Sequence, residues 1–291
     1  MTSSEPAAPV VVGTDGSECS LAAVALAARM AAERHRTLRV VHAFIWPELR
    51  VPLGPPPSGP PDSGLANQAD EIMADAVAAA NKAEPELNVT GEVVDGAPAP
   101  VLLREARNAT MVVLGDRGLG GFTGLLVGSV AVQLAAHAPC PVVVYRGEPA
   151  PGRGILIGVD GSQQSDAALA FAFEEAALRG VELTALHAYT HPVSAGPGDM
   201  LPLVYDADQL ESEETALLNE ALREHRTRYP QVPVQARVVR DRASRALTRA
   251  SQEASLVVVG SRGRGGFAGL LLGSVSQAVL HHAACPVAIV R

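Results

Sequence analysis

At 291 residues the chain can hold two ordinary domains, each large enough to bury its own core. With 47% hydrophobic and 19% charged residues the composition is that of an ordinary soluble protein, and scarce aromatics (3%) beside abundant Ala, Val and Leu suit helices packed on a parallel sheet. A formal charge of −8 argues against a sequence-independent nucleic-acid binder, which needs a basic face, and no apolar run is long enough to span a membrane.

The opening Met1-Thr-Ser-Ser-Glu-Pro-Ala-Ala-Pro lacks the basic and apolar regions of a signal peptide. Three cysteines without a Cys-x-x-Cys pair suit a reducing compartment, so a cytoplasmic location is expected. Val10 to Gly13 is a short apolar run and reads as a first strand, followed by Asp15-Gly-Ser17 with turn and cap chemistry. An Ala/Leu-rich helical pattern covers Leu21 to Arg36, and a second strand, Leu38 to Phe44, contains His42-Ala43 near its end. Pro47 to Pro61 is too dense in Pro and Gly for a helix or an inner strand. A helix at Leu65–Ala83, a strand at Val89–Val94 and a helix at Pro98–Asn108 follow. The strand Met111-Val-Val-Leu114 then runs into a glycine-rich stretch at 115–130, and a helix at Ser129–Ala138 and a strand at Val142–Tyr145 close the half.

The pattern then begins again. Asp15-Gly-Ser matches Asp160-Gly-Ser, His42 matches His187, Phe122 matches Phe267 and Cys140-Pro matches Cys285-Pro, all at a constant shift of 145. The second half reads as strand Ile155–Gly158, helix Ala167–Arg179, strand Val181–Tyr189, an irregular Pro192–Pro202, helix Asp208–Arg228, strand Val234–Val239, helix Ser244–Ala254, strand Leu256–Val259, helix Ser274–Ala283 and strand Val287–Val290. The Pro/Gly-rich Gly147-Glu-Pro-Ala-Pro-Gly-Arg153 is the linker, dividing the chain into domains 1–147 and 153–291. Strands alternating with helices predict a parallel sheet covered on both faces, a Rossmann-like α/β fold. Among the few topologies that right-handed crossovers leave, we expect the order 3-2-1-4-5. Strands 1 and 4 are then neighbours at the reversal point, where such sheets bind ligands, and the Asp-Gly-Ser and glycine-rich loops converge on one cleft.

The glycine-rich stretches are Gly115-Asp-Arg-Gly-Leu-Gly-Gly-Phe-Thr-Gly-Leu-Leu-Val-Gly-Ser-Val130 and Gly260-Ser-Arg-Gly-Arg-Gly-Gly-Phe-Ala-Gly-Leu-Leu-Leu-Gly-Ser-Val275. Strand, glycine loop and helix start together bare backbone N–H groups and so make a phosphate cradle. Gly115, Gly118, Gly128 and Ser129, and again Gly260, Gly263, Gly273 and Ser274, form Gly-x2-Gly-x9-Gly-Ser. This is similar to the ATP-binding signature of universal stress proteins, as are the Val-Gly-Thr-Asp-Gly-Ser and Gly-Val-Asp-Gly-Ser openings and the Cys-Pro-Val endings. The resemblance covers nearly the whole chain twice, so the chain resembles a tandem universal stress protein with two adenine nucleotide alpha hydrolase-like domains.

The resemblance implies ATP or a related adenine nucleotide in each half. The cradle residues would meet ribose and phosphates, Val130 and Val275 would add backbone amides, and Ala43 and Ala188 would read the adenine through backbone. Asp15 and Asp160 match the acidic residue of the first loop, implying nucleotide contact and a share in holding Mg²⁺. Since family members pair through their last strands, an intrachain pseudo-dimer and a homodimer of whole chains are also implied.

Several residues carry a plainer reading beside the functional one. Asp15 and Asp160 are also ordinary turn or N-cap residues, and Ser129 and Ser274 are expected to cap the last helix while touching phosphate. Arg117, Arg262 and Arg264 either clamp phosphate or are solvated. His42 and His187 read as satisfied residues at a buried strand end, Cys140 and Cys285 as small buried residues, and Cys19, matched by Gln164, as the one candidate redox thiol. Asp116 stands where Ser261 stands, which sets a carboxylate near phosphate and predicts the weaker site in the first half. Three functions are weighed: a nucleotide-dependent stress regulator, a slow ATPase or kinase-like enzyme, and a nucleotide-independent scaffold. No Gly-x4-Gly-Lys-(Ser/Thr) occurs, and the chain has one lysine, Lys82, so fast phosphoryl transfer is not expected.

Overall fold

The computed structural model describes residues 7–45, 63–118, 127–148, 152–190, 207–264 and 271–291. The irregular segments expected at Pro47 to Pro61 and Pro192 to Pro202, Phe122, Phe267 and the middle of each glycine-rich stretch lie outside the described residues. The chain divides into two compact units, Met1–Arg146 and Gly147–Arg291.

The first unit runs β1 (Val10–Thr14), α1 (Glu18–Glu33), β2 (Leu38–Phe44), α2 (Ser63–Ala83), β3 (Val89–Asp95), α3 (Pro98–Glu105), β4 (Met111–Gly115), α4 (Ser129–His137) and β5 (Val142–Tyr145). Its strands lie in the order β3-β2-β1-β4-β5, each neighbouring pair parallel. The second unit repeats this with β6 (Ile155–Gly158), α5 (Gln163–Arg179), β7 (Leu183–Tyr189), α6 (Ala207–Arg228), β8 (Val234–Arg240), α7 (Ala243–Ala250), β9 (Leu256–Gly260), α8 (Ser274–His282) and β10 (Val287–Val290). Its order is β8-β7-β6-β9-β10, again all parallel.

The central strands are continuous Val/Ile/Leu runs because helices cover both faces. β1 is buried along its whole length, as is β5. Each fully buried aliphatic side chain contributes about 1.5–3 kcal/mol, and every residue of β10 is buried likewise. The outer strands β3 and β8 instead share a pattern of half-buried and exposed residues, as edge positions allow.

Helix starts differ from the sequence reading for a local reason. α1 begins at Glu18 rather than Leu21, and α5 at Gln163 rather than Ala167, because Ser17 and Ser162 are the N-caps: each side chain accepts from the amide three residues on. Apolar periodicity marks where a helix packs, whereas the capping hydroxyl fixes where it starts. The pattern at Pro98–Asn108 and Ser244–Ala254 likewise resolves into α3 and α7, each followed by a single 3-10 turn, Ala106–Asn108 and Ser251–Glu253.

Candidate functional site

Parallel strands deliver all their C-terminal ends to one edge of the sheet, and β1 beside β4, like β6 beside β9, opens a crevice there. In each unit a cavity fills it, about 420 Å³ in the first and 490 Å³ in the second. Asp15, Ala43, Gly115, Arg117, Gly118, Gly128, Ser129 and Val130 all line the first. Asp160, Ala188, Gly260, Arg262, Gly263, Gly273, Ser274 and Val275 all line the second.

The strand-1 loop is built first by its glycine. Gly16 and Gly161 hold φ of 82° and 72°, a left-handed turn that a Cβ would strain. The turn folds the preceding aspartate back: Asp15 Oδ1 accepts from Ser17 N at 3.1 Å and from Ser17 Oγ at 2.6 Å, and Asp160 Oδ1 accepts from Ser162 N at 2.9 Å. The aspartates are therefore turn residues, and the helix caps are the serines that follow. The second carboxylate oxygen reaches the distant glycine loop. A Cβ added at Gly118 or at Gly263 would collide with Oδ2 of Asp15 or Asp160. Arg264 N donates to Asp160 Oδ2 at 3.0 Å, across 104 residues of sequence.

Glycine, not serine, occupies the N-cap of the helix after the loop. Gly128 and Gly273 have extended φ/ψ, and neither cap is closed by a side-chain hydrogen bond. Ser129 and Ser274 are the first helical residues, which corrects the expectation that they cap. The reason is that a loop closed through backbone, by Gly128 N donating to Asp116 O at 2.7 Å and Gly273 N to Ser261 O at 2.8 Å, leaves the cap position to the glycine. First-turn amides have no partner inside their helix, and together with the helix dipole they favour an anion. Facing them is an apolar wall the sequence reading missed: Val41, Pro98 and Leu102 in the first cleft, Leu186, Ala243 and Leu247 in the second. The signal was available, since the loop after the third strand must emerge at the same edge, and Pro98 marks the first turn of α3 there.

Electrostatically the clefts differ. Asp116 is nearly buried and does not stand alone: its Oδ1 accepts from Cys19 Sγ at 2.9 Å, and Arg117 and Arg146 lie 3.7 Å from its Oδ2. Arg146, at the end of β5, escaped the sequence reading because only the pairing of β4 with β5 brings it to Asp116. Burial, with the hydrogen bond to Asp116 next, raises the Cys19 pKa and so disfavours the thiolate. Burial lowers the pKa of the Arg146 guanidinium against the opposing pull of Asp116. In the second unit Ser261 is buried, and in its cleft Arg264 lies over the Gly161 turn, its Cζ 3.2 Å from where a Cβ would stand. The charged lining is thus Asp15, Asp116 and Arg117 against Asp160, Arg262 and Arg264, one net negative against one net positive charge.

His42 and His187 are buried at their strand ends, as expected of satisfied residues. His42 Nδ1 meets Thr14 O at 2.9 Å, and His187 Nδ1 meets Val159 O at 2.7 Å with Glu214 at 2.7 Å from Nε2. Among the described residues no group of three or more His, Cys, Asp or Glu is arranged to hold a metal ion. No helix among them is long and apolar enough to cross a membrane.

Comparison with known proteins agrees with this geometry. The model of the universal stress protein family matches residues 7–146 and again 153–291. Universal stress protein Rv2005c of Mycobacterium tuberculosis (strain ATCC 25618 / H37Rv) is 43% identical over 296 residues, spanning 97% of this chain and 96% of its own. Rv2623 of the same organism is 40% identical over 301 residues, covering 100% and 99%. Among solved structures, a universal stress protein from Archaeoglobus fulgidus DSM 4304 superposes with a TM-score of 0.68 at 18% identity, over 96% of this chain and 95% of that one, a likeness of fold. Two family matches in tandem and whole-length relatives at this identity leave one assignment: the chain belongs to the universal stress protein family.

Proposed function

We infer that each unit binds an adenine nucleotide, ATP by preference and with Mg²⁺, and that the protein is a nucleotide-dependent regulator of the stress response. One observation carries the reading: a helix N-terminus without a side-chain cap and a glycine loop too close to a carboxylate to bear a Cβ face an apolar wall across a cavity of nucleotide size. Phosphates would lie against the amides of Ser129 and Val130, or Ser274 and Val275, and the base against the wall of α3 or α7 beside Ala43 or Ala188. Arg117, Arg262 and Arg264 would meet phosphate oxygens as cations.

The donor set fits Mg²⁺ carried with the nucleotide. Each cleft offers one aspartate carboxylate, and Mg²⁺ is ordinarily held by one or two carboxylates together with phosphates and water. Asp15 and Asp160 would hold the ion, which when bound would offset phosphate charge.

Release of bound small molecules from the purified, denatured chain, identified by mass spectrometry, tests the reading. ATP is expected, with a second equivalent taken up when ATP and Mg²⁺ are added. Absence of any adenine nucleotide, before and after that addition, would reject it. Steady growth of ADP over minutes would instead identify an ATPase. Sedimentation of whole chains with and without ATP then tests regulation, a shift in association being the expected result.

A further inference from the structure

Behind α7 of the second unit lies a small cavity, about 150 Å³, outside the nucleotide cleft but sharing the Leu186 wall with it. The two cavities lie on two faces of one helix: Ala243 and Leu247 of α7 line the cleft, whereas Ala246, Arg249 and Ala250 line the small cavity. Its remaining lining is Arg237 and Val239 of β8, with Gln252 and Glu253 of the 3-10 turn.

The first unit explains what is unusual here. At the corresponding place Arg39 of β2 is held between two carboxylates, its Nε 2.8 Å from Glu105 Oε2 and its NH2 nitrogen 2.7 Å from Glu92 Oε2. The shift of 145 carries these three positions to Thr184, Ala250 and Arg237. The central guanidinium is lost to a short side chain, one carboxylate becomes a methyl group, and the other becomes a cation. Arg249, whose counterpart Arg104 is retained, then lines the cavity beside Arg237. Among the described residues neither arginine has an ion-pair partner, and Glu253 is the one acidic group in the lining. Arg153 adds a third guanidinium nearby by donating to Gln252 O.

We propose that this cavity is a binding site for a small oxyanion, a carboxylate or a phosphate group, held between the guanidiniums of Arg237 and Arg249 over the apolar floor of Leu186, Val239 and Ala246. Guanidinium is the cation best suited to such groups, because its planar donors match two oxygens at once. A cavity of about 150 Å³ takes a ligand of benzene size, so an acetate or a phosphate fits. At the corresponding place in the first unit, the Arg39 guanidinium and its two carboxylates are already paired with one another.

The test uses the full chain labelled with ¹⁵N, following the Nε–Hε signals of Arg237 and Arg249 while inorganic phosphate, and in a separate series acetate, is added at constant ionic strength. Both signals are expected to shift together and saturate in at least one series at about 10 mM or below, a millimolar affinity. Saturation in the acetate series alone marks a carboxylate site and in the phosphate series a phosphate site. Arg237→Gln should weaken the response of Arg249 at least tenfold, and Glu253→Gln should strengthen it. The triple change Thr184→Arg, Arg237→Glu and Ala250→Glu, which transplants the first unit's ion triad, should abolish saturation while leaving the circular dichroism spectrum unchanged. Linear, non-saturating shifts in both series, or an Arg249 response indifferent to Arg237→Gln, would overturn the proposal. Phosphate entering the nucleotide cleft is read separately, at the amides of Gly263 and Ser274.

Discussion

The two units share a backbone plan and differ in what fills it, and the differences fall into two kinds. Between α1 and α2 the first unit packs small residues such as Ala28, Ala76 and Ala80, all buried. The second puts Phe173 and His225 at the positions of Ala28 and Ala80, their rings stacked with centroids 5.4 Å apart, and His225 Nε2 lies 2.8 Å from Asp166 Oδ1. That exchange alters the interior and leaves the cleft edge alone. In contrast, Ser261 in place of Asp116, and Arg264 at the sequence position of Leu119, alter the charge at the cleft while both backbones keep the same strand order. A duplicated fold therefore diverges where side chains are free to differ, and keeps the places where backbone itself must approach, such as Gly118 and Gly263.

The comparison can be broken most decisively at those glycines. Gly263→Val should cost the second cleft at least about tenfold in ATP affinity, equivalent to 1.4 kcal/mol or more, with the first cleft unaffected. Gly118→Val should do the reverse. Titration calorimetry that finds both sites intact in either variant would show that the loop does not approach the ligand.

In free energy the interior gives a larger effect still. Phe173→Ala should destabilise the second unit by about 3–5 kcal/mol, because a fully buried ring leaves a cavity. Ala28→Phe should cost the first unit about 1–3 kcal/mol by overpacking. Calorimetric unfolding of the full chain reads both, and equal tolerance of a phenyl ring at both positions would mean that the units do not pack differently there.

Cleft charge gives a smaller effect. The second cleft should bind ATP the more tightly, and the joint change Arg262→Gln and Arg264→Gln should narrow the gap several-fold at low salt, with less effect at high salt as screening grows. The partial pairing of Asp116 with Arg117 and Arg146 makes the gap smaller than the sequence alone implied. Affinities that are equal, or reversed, count against this.

The last expected effect appears only at alkaline pH. Burial pushes the Cys140 thiol to about 11 and the Cys285 thiol to about 12, against an ordinary value near 8.5. A raised thiol pKa means that the folded state disfavours the thiolate. The contribution to stability is therefore whole below the unfolded pKa and is lost as pH rises toward 11 and 12. Cys140→Ala with Cys285→Ala should flatten the fall in stability between about pH 9 and 12, read by urea denaturation at each pH.

Much of this was legible in the sequence because it is periodic or local. The constant shift from Asp15 to Asp160 and from Cys140 to Cys285 counts the repeats, and apolar runs such as Met111 to Leu114 mark buried strands. Glycine spacing names the loop because the conformations of Gly16 and Gly161 and the close approach at Gly118 and Gly263 exclude other residues. The helix starts were less legible, since Ser17 and Ser162 act through a single hydrogen bond that leaves no periodicity. Arg146 beside Asp116 could be seen only once strands were paired, whereas the apolar walls of α3 and α7 follow from the parallel strand order and the Pro98 helix start.

The repeat, the alternation of strand and helix, and the residue types at the cleft are written locally along the chain, through hydrophobic periodicity and glycine's conformational range. What each charge faces depends instead on packing. The Asp160 carboxylate meets the backbone amide of Arg264 across 104 residues, and Arg39 is clamped by Glu92 and Glu105 whereas Arg237 and Arg249 line an open cavity. Electrostatic partners are set by distance in space, which strand pairing and helix packing fix and sequence separation does not.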